Sequence, residues 1–426
     1  MKIKFFILSF LLFLFSCENI PVSSINLEKT KNIIDDNKKN QVPIKPLEAA
    51  IITNTDKNDS NINKEPQKQD DRNPKNNQSY KDAYDIFRSA DSLVEKKKYN
   101  EAIEKYKKAI SIDPNISEIH NNLAQAYESL GKYDDATLEY QKSLSLTPDM
   151  IIVYNNIILL KIAQGKYDDA IEYLKKAISV DNTRIGFYKL LLKSYKKIGK
   201  YDEFINEMNK MLKENPKNYY VYHVFGFNYF QEKKYDESIE QYRKAISINE
   251  KYIEAYKNIG MAYIEKKEYD KALNEFKNTL DIRRDYIDGY LGLGVSFFKL
   301  GKYDEAIEYL KQAISLDTKK ADGYIDLGTV YGEQQKYNES TIEYQKSILI
   351  DPNNPEVYAS MAFNYSNLGN YEESISLYKK AISINPNIAY FYFSLGNIYL
   401  KQKDYTNKSI NYQKACELGI IEACNG

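Results

Sequence analysis

Ten tyrosines recur along the chain at a constant interval of 34 residues. They are Tyr99, Tyr133, Tyr167, Tyr201, Tyr235, Tyr269, Tyr303, Tyr337, Tyr371 and Tyr405. A strict period of this length predicts copies of one supersecondary unit, stacked so that neighbours bury each other's apolar faces. With the recurring tyrosine at position 17, the first repeat starts at residue 83 and ten repeats end at residue 422.

Other columns of the repeat predict two helices in each copy. An aromatic residue at position 4, a small residue at 8 and Tyr at 11 share one helical face, as do a small residue at 20, an aromatic residue at 24 and Ala or Ser at 27. Large rings therefore alternate with small residues, which lets the helices of a pair approach closely. Asp, Asn or Thr at position 18 predicts an N-cap for the second helix. Pro at position 32 predicts its end, and Gly in five repeats marks the turn between the helices.

This pattern closely resembles the tetratricopeptide repeat, and the resemblance covers residues 83–422. It implies an all-α fold, a right-handed α-solenoid of about ten helix pairs whose first helices line a concave groove. Repeats 3 and 4 depart from it, because Ile158 and Leu192 replace the small residue at position 8. Local repacking and a hinge are both compatible with these larger side chains.

In this family the groove is lined mainly by positions 2, 5, 6, 9, 12 and 13. Carboxamides at these positions in repeats 2 and 3 offer a donor and an acceptor each, which suits the backbone of an extended peptide. Lysines occupy them in repeat 4, and apolar side chains and one His occupy them in repeats 5 to 7. The predicted groove residues are Asn121, Asn122, Gln125, Asn155, Asn156, Lys189, Lys193, Tyr220, His223, Phe227, Phe230, Met261, Ile264, Leu291, Val295 and Phe298.

The apolar part of this set favours a partner-binding surface, since exposed apolar patches of that extent usually mark one. The alternative is that packing within the solenoid covers these side chains. For the lysines of repeat 4, the alternative to a site is a solvated face. The family's clamp for carboxylate C-termini is not matched, because Val224 and Gly292 stand where it needs polar side chains.

Residues 1–16 are typical of a secretory signal peptide. Lys2 and Lys4 precede an apolar run of eleven residues, Phe5 to Phe15, which is too short to cross a bilayer. The run ends in Leu14-Phe15-Ser16-Cys17, which resembles the lipobox of bacterial lipoproteins. The resemblance implies cleavage before Cys17 and acylation of its sulfur and amine. A signal peptide with an incidental Cys is the alternative.

Residues 17–82 are interpreted as the lipidated Cys followed by a disordered linker. From Glu18 to Ser79 there is no aromatic residue and no Gly, while Asn, Lys, Asp and Gln dominate. Such a composition buries too little apolar surface to offset chain entropy. The linker would hold the repeats away from a membrane.

The composition excludes several classes of function. The chain carries 60 basic and 60 acidic residues, so the excess of positive charge that nucleic acid binding requires is absent. Only two His, His120 and His223, are present, and no phosphate-binding loop or metal-ligand spacing is found. We therefore expect no enzyme activity, no cofactor, no metal and no small-molecule substrate.

The C-terminal end carries the other two cysteines, Cys416 and Cys424. Lys414-Ala415-Cys416 and Ala423-Cys424 resemble the ends of a related secreted helical-repeat family, in which cysteines so spaced form a disulfide. The resemblance implies the same bond here, at the junction with a stub of residues 423–426. Two free thiols are the alternative.

Together these features predict an exported, lipid-anchored interaction module of the bacterial envelope that binds a peptide or a partner helix in its groove. The rival hypothesis is a structural lipoprotein subunit of an envelope machine, for outer-membrane protein insertion or pilus assembly, which uses its convex face or its ends. Fold alone does not choose between the two.

Overall fold

The computed structural model describes residues 78–424, which form 21 α-helices and no strand. The predicted signal peptide, Cys17 and the linker up to residue 77 lie outside the described residues. The helices are α1 (Gln78–Glu95), α2 (Tyr99–Ile112), α3 (Ser117–Ser129), α4 (Tyr133–Leu146), α5 (Ile151–Ala163), α6 (Tyr167–Val180), α7 (Ile185–Lys197), α8 (Tyr201–Glu214), α9 (Tyr219–Gln231), α10 (Tyr235–Ile248), α11 (Ile253–Glu265), α12 (Tyr269–Ile282), α13 (Ile287–Lys299), α14 (Tyr303–Leu316), α15 (Ala321–Glu333), α16 (Tyr337–Ile350), α17 (Pro355–Asn367), α18 (Tyr371–Ile384), α19 (Ala389–Lys401), α20 (Tyr405–Glu417) and α21 (Ile421–Cys424).

The described residues divide into two compact units, 78–224 and 225–424, with the boundary inside α9. In each unit, a first helix and the following second helix form a hairpin, and each hairpin packs on the next one along the chain. Contacts of this nearest-neighbour kind define an α-solenoid. The predicted all-α fold of about ten helix pairs is confirmed.

The turn inside each hairpin places position 15 in the left-handed region. Five repeats have Gly there, with φ between 71° and 83°, as at Gly131 and Gly369. The other five have Lys or Gln with φ between 59° and 63°, as at Lys267 and Gln335. Glycine adopts this conformation without the clash of a Cβ atom, so half of the turns carry backbone strain.

The close approach of paired helices has the predicted cause. A Cβ atom added to Gly260, at position 8, would lie 2.8 Å from the ring of Phe276, at position 24 of the same repeat. Gly226 stands in the same relation to Tyr242, at 2.9 Å. The aromatic ring of the second helix thus packs directly on the backbone of the first.

Repeats 3 and 4 repack around their larger residues at position 8. Ile158 and Leu192 are buried, and position 24 opposite them holds Leu174 and Met208 instead of an aromatic ring. Volume lost at position 24 is therefore regained at position 8. This exchange accounts for the departure by local packing.

The capping interpretation of position 18 is wrong, because position 18 lies inside the second helix in every repeat. The second helices begin one residue earlier, on the recurring tyrosine, and the residue before it makes no side-chain cap in any of the nine second helices that begin between Tyr99 and Tyr371. The exception in the tenth repeat is Asp404, whose carboxylate accepts from the Asn407 amide at 3.0 Å. Acids at position 18, such as Asp134, lie in the first turn, where the helix dipole favours negative charge.

The first and last helices extend beyond the predicted repeats. Residues 78–82, assigned to the linker, are helical because the Tyr80 ring stacks on Tyr84 at 5.6 Å and the Ser79 hydroxyl donates to the Ile112 carbonyl at 2.8 Å. At the other end, α21 joins residues 421–422, predicted as the end of the last repeat, to residues 423–424, predicted as part of the stub. No helix between residues 78 and 424 has the length and apolar character needed to cross a bilayer.

Candidate partner-binding face of the first helices

Successive first helices lie side by side within each unit. Contacts join α1 to α3 and α3 to α5 in the first unit, and α11 to α13 and α13 to α15 in the second. We call the surface formed by α11, α13 and α15 the C-terminal first-helix face. The predicted groove residues of repeats 6 and 7 all lie on α11 or α13: Met261, Ile264, Leu291, Val295 and Phe298.

The carboxamides of repeats 2 and 3 bond to one another. Asn156 donates to Asn121, Asn121 donates to Asn122, and Asn122 donates to the Asp91 carboxylate, each at 3.0 Å. Asn121 is buried, so it does not line an open groove as predicted. The hydrogen-bonded chain links α1, α3 and α5 because the side chains at positions 5 and 6 face the neighbouring first helix. Gln125 is exposed, and the buried Oδ1 of Asn155 has no hydrogen-bond partner.

The lysines of repeat 4 are unequal in exposure. Lys189 and Lys193 are half-buried, while Lys196 and Lys197 are exposed at the end of α7. The Lys196 ammonium lies 5.3 Å from the centre of the Tyr201 ring. The end of α7 therefore presents two exposed lysines, one of which lies over the ring of Tyr201.

Two predicted groove residues at the start of α9 pack inside the first unit. Tyr220 stacks on Tyr188 at 6.4 Å, and its hydroxyl accepts a hydrogen bond from Tyr219 at 2.9 Å. His223 is only 2% exposed, so the expectation that it faces the groove is wrong. The other histidine, His120, is also buried, with Nδ1 2.7 Å from Glu139 and Nε2 3.0 Å from the Pro114 carbonyl.

The predicted apolar groove of repeats 5 to 7 is only partly open. Ile264, Leu291 and Val295 are buried, which corrects their assignment to an exposed surface. Val295 and Ile264 join a core cluster with Leu273, and Leu291 joins one with Leu310 and Leu327. These side chains fill the space between adjacent hairpins, which is the packing alternative that the sequence left open. Besides Tyr220, four apolar side chains of the set remain partly exposed: Phe227, Phe230, Met261 and Phe298.

Charged residues at positions 2, 5 and 34 form an ion-pair chain on the C-terminal first-helix face. Asp288 contacts both Lys257, at 3.6 Å, and Lys320, and Lys320 lies 4.0 Å from Asp322. Burial raises the pKa of Asp288, but the two lysines outweigh burial and hold that pKa below its ordinary value. This chain is balanced, with two positive and two negative groups.

A second group of charges on the same face surrounds Lys299. Asp326 on α15 is 8% exposed, its Oδ2 has no hydrogen-bond partner, and burial together with Asp322 raises its pKa well above the ordinary value. Lys299 on α13 interacts electrostatically with Asp326, Glu265 and Glu333, and burial nevertheless lowers the pKa of its ammonium. Burial also raises the pKa of Glu265 and of Glu333.

Sequence reasoning missed this second group of charges. Asp326 occupies position 6, and Glu265, Lys299 and Glu333 all occupy position 13 of successive repeats. Both positions belong to the family's groove set, so the signal was present in the pattern. It was obscured because an Asp or Glu on a helix is usually a solvated residue.

At the C-terminal end, Cys416 and Cys424 are joined by a disulfide, with their Cα atoms 5.0 Å apart. The bond ties α21 to the end of α20, and Ala423 packs with Tyr412 and Ala415. No cluster of His, Cys, Asp and Glu suited to a metal ion occurs within residues 78–424.

Tandem helix hairpins with this spacing define the class of tetratricopeptide repeat proteins. Residues 90–131, 117–150 and 161–223 match models described as TPR or tetratricopeptide repeat. Residues 197–426, more than half of the chain, match the model described as the Cilia and flagella-associated protein 70 C-terminal domain. The chain belongs to this family of tetratricopeptide repeat domains. No curated protein matches the chain.

Solved structures similar to the chain include three helical-repeat proteins. The chain is 17% identical to a chain of the APC/C hetero-tetramer Cut9-Hcn1, with 80% of this chain and 75% of that chain covered and a TM-score of 0.48. It is 26% identical to MamA, over 38% of this chain and 94% of that one, with a TM-score of 0.35. It is 21% identical to YrrB, described as a TPR protein with an unusual peptide-binding site, over 46% and 97%, with a TM-score of 0.34.

Proposed function

We propose that the chain is an exported lipoprotein, anchored through Cys17, which holds an extended segment or a helix of a protein partner on its first-helix face. Tetratricopeptide repeats are interaction scaffolds that bind protein or peptide partners. The observation that carries the proposal is the C-terminal first-helix face. There, partly exposed Met261 and Phe298 lie on the same helices as desolvated charges, a combination typical of interface cores with polar rims. Partly exposed Phe227 lies on α9, the first helix that precedes them in the chain.

A second candidate function is assembly through the second helices. Leu349 is 85% exposed on α16, Ile342 on the same helix is 50% exposed, and Leu316 on α14 is 44% exposed. These side chains favour the rival hypothesis of a structural subunit that contacts its neighbours through the opposite helices.

Two matched triple variants separate the candidates. The first changes Phe227, Met261 and Phe298 to Ser, and the second changes Leu316, Ile342 and Leu349 to Ser. Each is produced as the full tagged chain in the cells that make it, and co-purified proteins are quantified by mass spectrometry. Loss of partners only in the first variant supports binding on the first helices; loss only in the second supports assembly. Circular dichroism checks that both variants remain helical.

Anchoring is tested separately. We expect Cys17→Ala to move the chain from the membrane fraction to the soluble one and to remove the acyl mass from the N-terminus. An N-terminus of the native protein that carries no lipid and begins at another residue would contradict the anchor, while leaving the interaction proposal to the triple variants.

A further inference from the structure

His120 stands at position 4 of repeat 2, where eight of the ten repeats have Tyr. The side chain is buried, and each of its ring nitrogens lies within hydrogen-bond distance of an oxygen. Nε2 lies 3.0 Å from the carbonyl oxygen of Pro114, in the turn between α2 and α3, and Nδ1 lies 2.7 Å from Oε2 of Glu139 on α4. Both ring nitrogens therefore face an acceptor.

The tyrosines at position 4 of other repeats show which nitrogen donates to the turn. The Tyr358 hydroxyl donates to the Pro352 carbonyl at 3.2 Å, and the Tyr188 hydroxyl donates at 3.1 Å to the carbonyl six residues earlier. His120 and Pro114 have the same separation of six residues. Nε2 of His120 thus takes the place of the tyrosine hydroxyl and donates to the turn.

Glu139, the partner of Nδ1, is an acceptor without a proton of its own. It also accepts from the Lys142 ammonium at 2.7 Å. Burial raises the pKa of Glu139, but the hydrogen bonds from His120 and Lys142 outweigh burial and hold that pKa below its ordinary value. Because an ionised carboxylate only accepts, Nδ1 has to donate as well. A neutral imidazole has one donor nitrogen, whereas an imidazolium has two.

We propose that His120 is a pH-sensitive link in the first unit, which joins the turn before α3 to α4 only while both of its ring nitrogens are protonated. When pH rises and the ring loses its second proton, one nitrogen turns a lone pair towards an oxygen, so that one of the two contacts is lost in a buried site. Asn121, the next residue on α3, belongs to the hydrogen-bonded chain of carboxamides that joins α1, α3 and α5. Loss of the link therefore loosens the helix at the centre of that chain.

The charged groups bonded at this site both come from α4. They are Glu139 and the exposed Lys142, whose ammonium has no contact with the ring itself among the bonds of this site. In the turn, the Asp113 carboxylate accepts from the Asn115 amide at 3.0 Å, and Glu118 on α3 is exposed. The ring is thus the group of this site that changes its charge near neutral pH.

Repeat 8 provides a matched control within the same chain. Tyr324 occupies position 4 there, and its hydroxyl donates to the Thr318 carbonyl at 3.4 Å. Lys346 donates to Glu343 at 2.8 Å, with the spacing of Lys142 and Glu139. A tyrosine hydroxyl keeps its proton over the range in which a histidine titrates. Repeat 8 therefore has the same acid, lysine and turn contact without a titrating ring.

The test is hydrogen–deuterium exchange of the full chain at half-unit steps from pH 5.5 to pH 8.5, expressed as protection factors so that the pH dependence of intrinsic exchange is removed. The contribution of the doubly protonated ring is present at low pH and is lost as pH rises, whereas that of Glu139 is lost only in more acidic solution. We expect protection of α3 and α4 to fall by at least about tenfold as pH rises, because a hydrogen bond to a charged group is lost. Protection of α15 and α16, in repeat 8, should change by less than about twofold.

His120→Tyr copies repeat 8 and should remove the fall in α3 and α4. Nitrogen-15 NMR of histidine-labelled wild type gives a second measurement that needs no change at this site. The signals of His120 and His223 are assigned by replacing either one with Gln. We expect both ring nitrogens of His120 to be protonated at pH 5.5, and one to lose its proton over the same interval in which protection falls. An equal response to pH in repeats 2 and 8, or a His120 ring with a single proton throughout, would overturn the proposal.

Discussion

Asp326 offers the sharpest test of the electrostatics on the C-terminal first-helix face. Burial and the nearby Asp322 raise the pKa of its carboxyl well above the ordinary value, and its Oδ2 has no hydrogen-bond partner. We expect Asp326→Asn to stabilise the unliganded protein at pH 8, because the variant keeps the shape of the side chain and removes its charge. An unsatisfied buried group costs about 1–3 kcal/mol, and more when it is charged. We therefore expect the exchange of the charged carboxylate for a neutral amide to raise the free energy of unfolding by about 1–3 kcal/mol.

The gain should depend on pH with a defined sign. A carboxyl whose pKa is raised by folding destabilises the folded state, and the penalty is complete above the folded-state pKa. It disappears as pH falls from the folded-state pKa to the pKa of the same carboxyl in the unfolded chain. The advantage of Asn should therefore be small near pH 4, increase by about 1.4 kcal/mol per pH unit above it, and level off at the folded-state pKa of Asp326.

The assay is urea denaturation followed by circular dichroism at half-unit steps from pH 4 to pH 8. Asp281→Asn serves as the control, since Asp281 is exposed on α12 of the same unit and its replacement should change stability by less than about 0.5 kcal/mol. In thermal melts a gain of 1 kcal/mol corresponds to roughly 2–4 °C for a unit of this size. An Asn variant no more stable than the wild type at pH 8, or an advantage independent of pH, would refute the reasoning.

Three further predictions concern the helix pairs. Gly260→Ala should destabilise the second unit by about 1–3 kcal/mol in urea denaturation, because the new methyl group would meet the Phe276 ring at 2.8 Å. Lys267→Gly should stabilise by about 0.5–1 kcal/mol in the same assay, since it relieves a backbone with φ of 63°; an unchanged midpoint would mean that the turn stores no strain. Cys424→Ser should remove the bond to Cys416 and speed amide exchange in α20 by an amount corresponding to about 2–3 kcal/mol, while exchange in α11 stays unchanged because contacts are between nearest neighbours.

The fold was predictable from the sequence because its main interactions are local and periodic. A tyrosine every 34 residues set the register, and the pairing of Gly260 with Phe276 repeats at the same offset elsewhere. The first helix of each hairpin, from α3 onwards, begins at the residue where the repeat was predicted to start. The exact start of the second helices was not predictable from capping residues, since a carboxylate serves in the first turn as well as at the cap.

The candidate site was less predictable than the fold. Positions 5, 9 and 12 face both the groove and the neighbouring hairpin, and the size of the residues across the gap decides which contact dominates. Leu291 and Val295, at positions 5 and 9 of repeat 7, are buried for that reason. Phe298, at position 12 of the same helix, stays partly exposed. Burial at such positions depends on packing between repeats, which the pattern within one repeat does not contain.

Other buried polar side chains on the first helices differ from Asp326 in their hydrogen bonding. Asn364 donates to the Ser340 hydroxyl at 2.8 Å, and the Ser296 hydroxyl donates to the Gly292 carbonyl at 2.7 Å, so these groups are satisfied within the chain. Asp326 is instead a buried acid whose Oδ2 has no hydrogen-bond partner and whose charged neighbours are Asp322, Lys299 and Lys320. Local rules of stability are most often broken at functional sites. A buried carboxylate without a hydrogen-bond partner weakens the unliganded protein, so its place on the first-helix face is better explained by a role in binding than by folding.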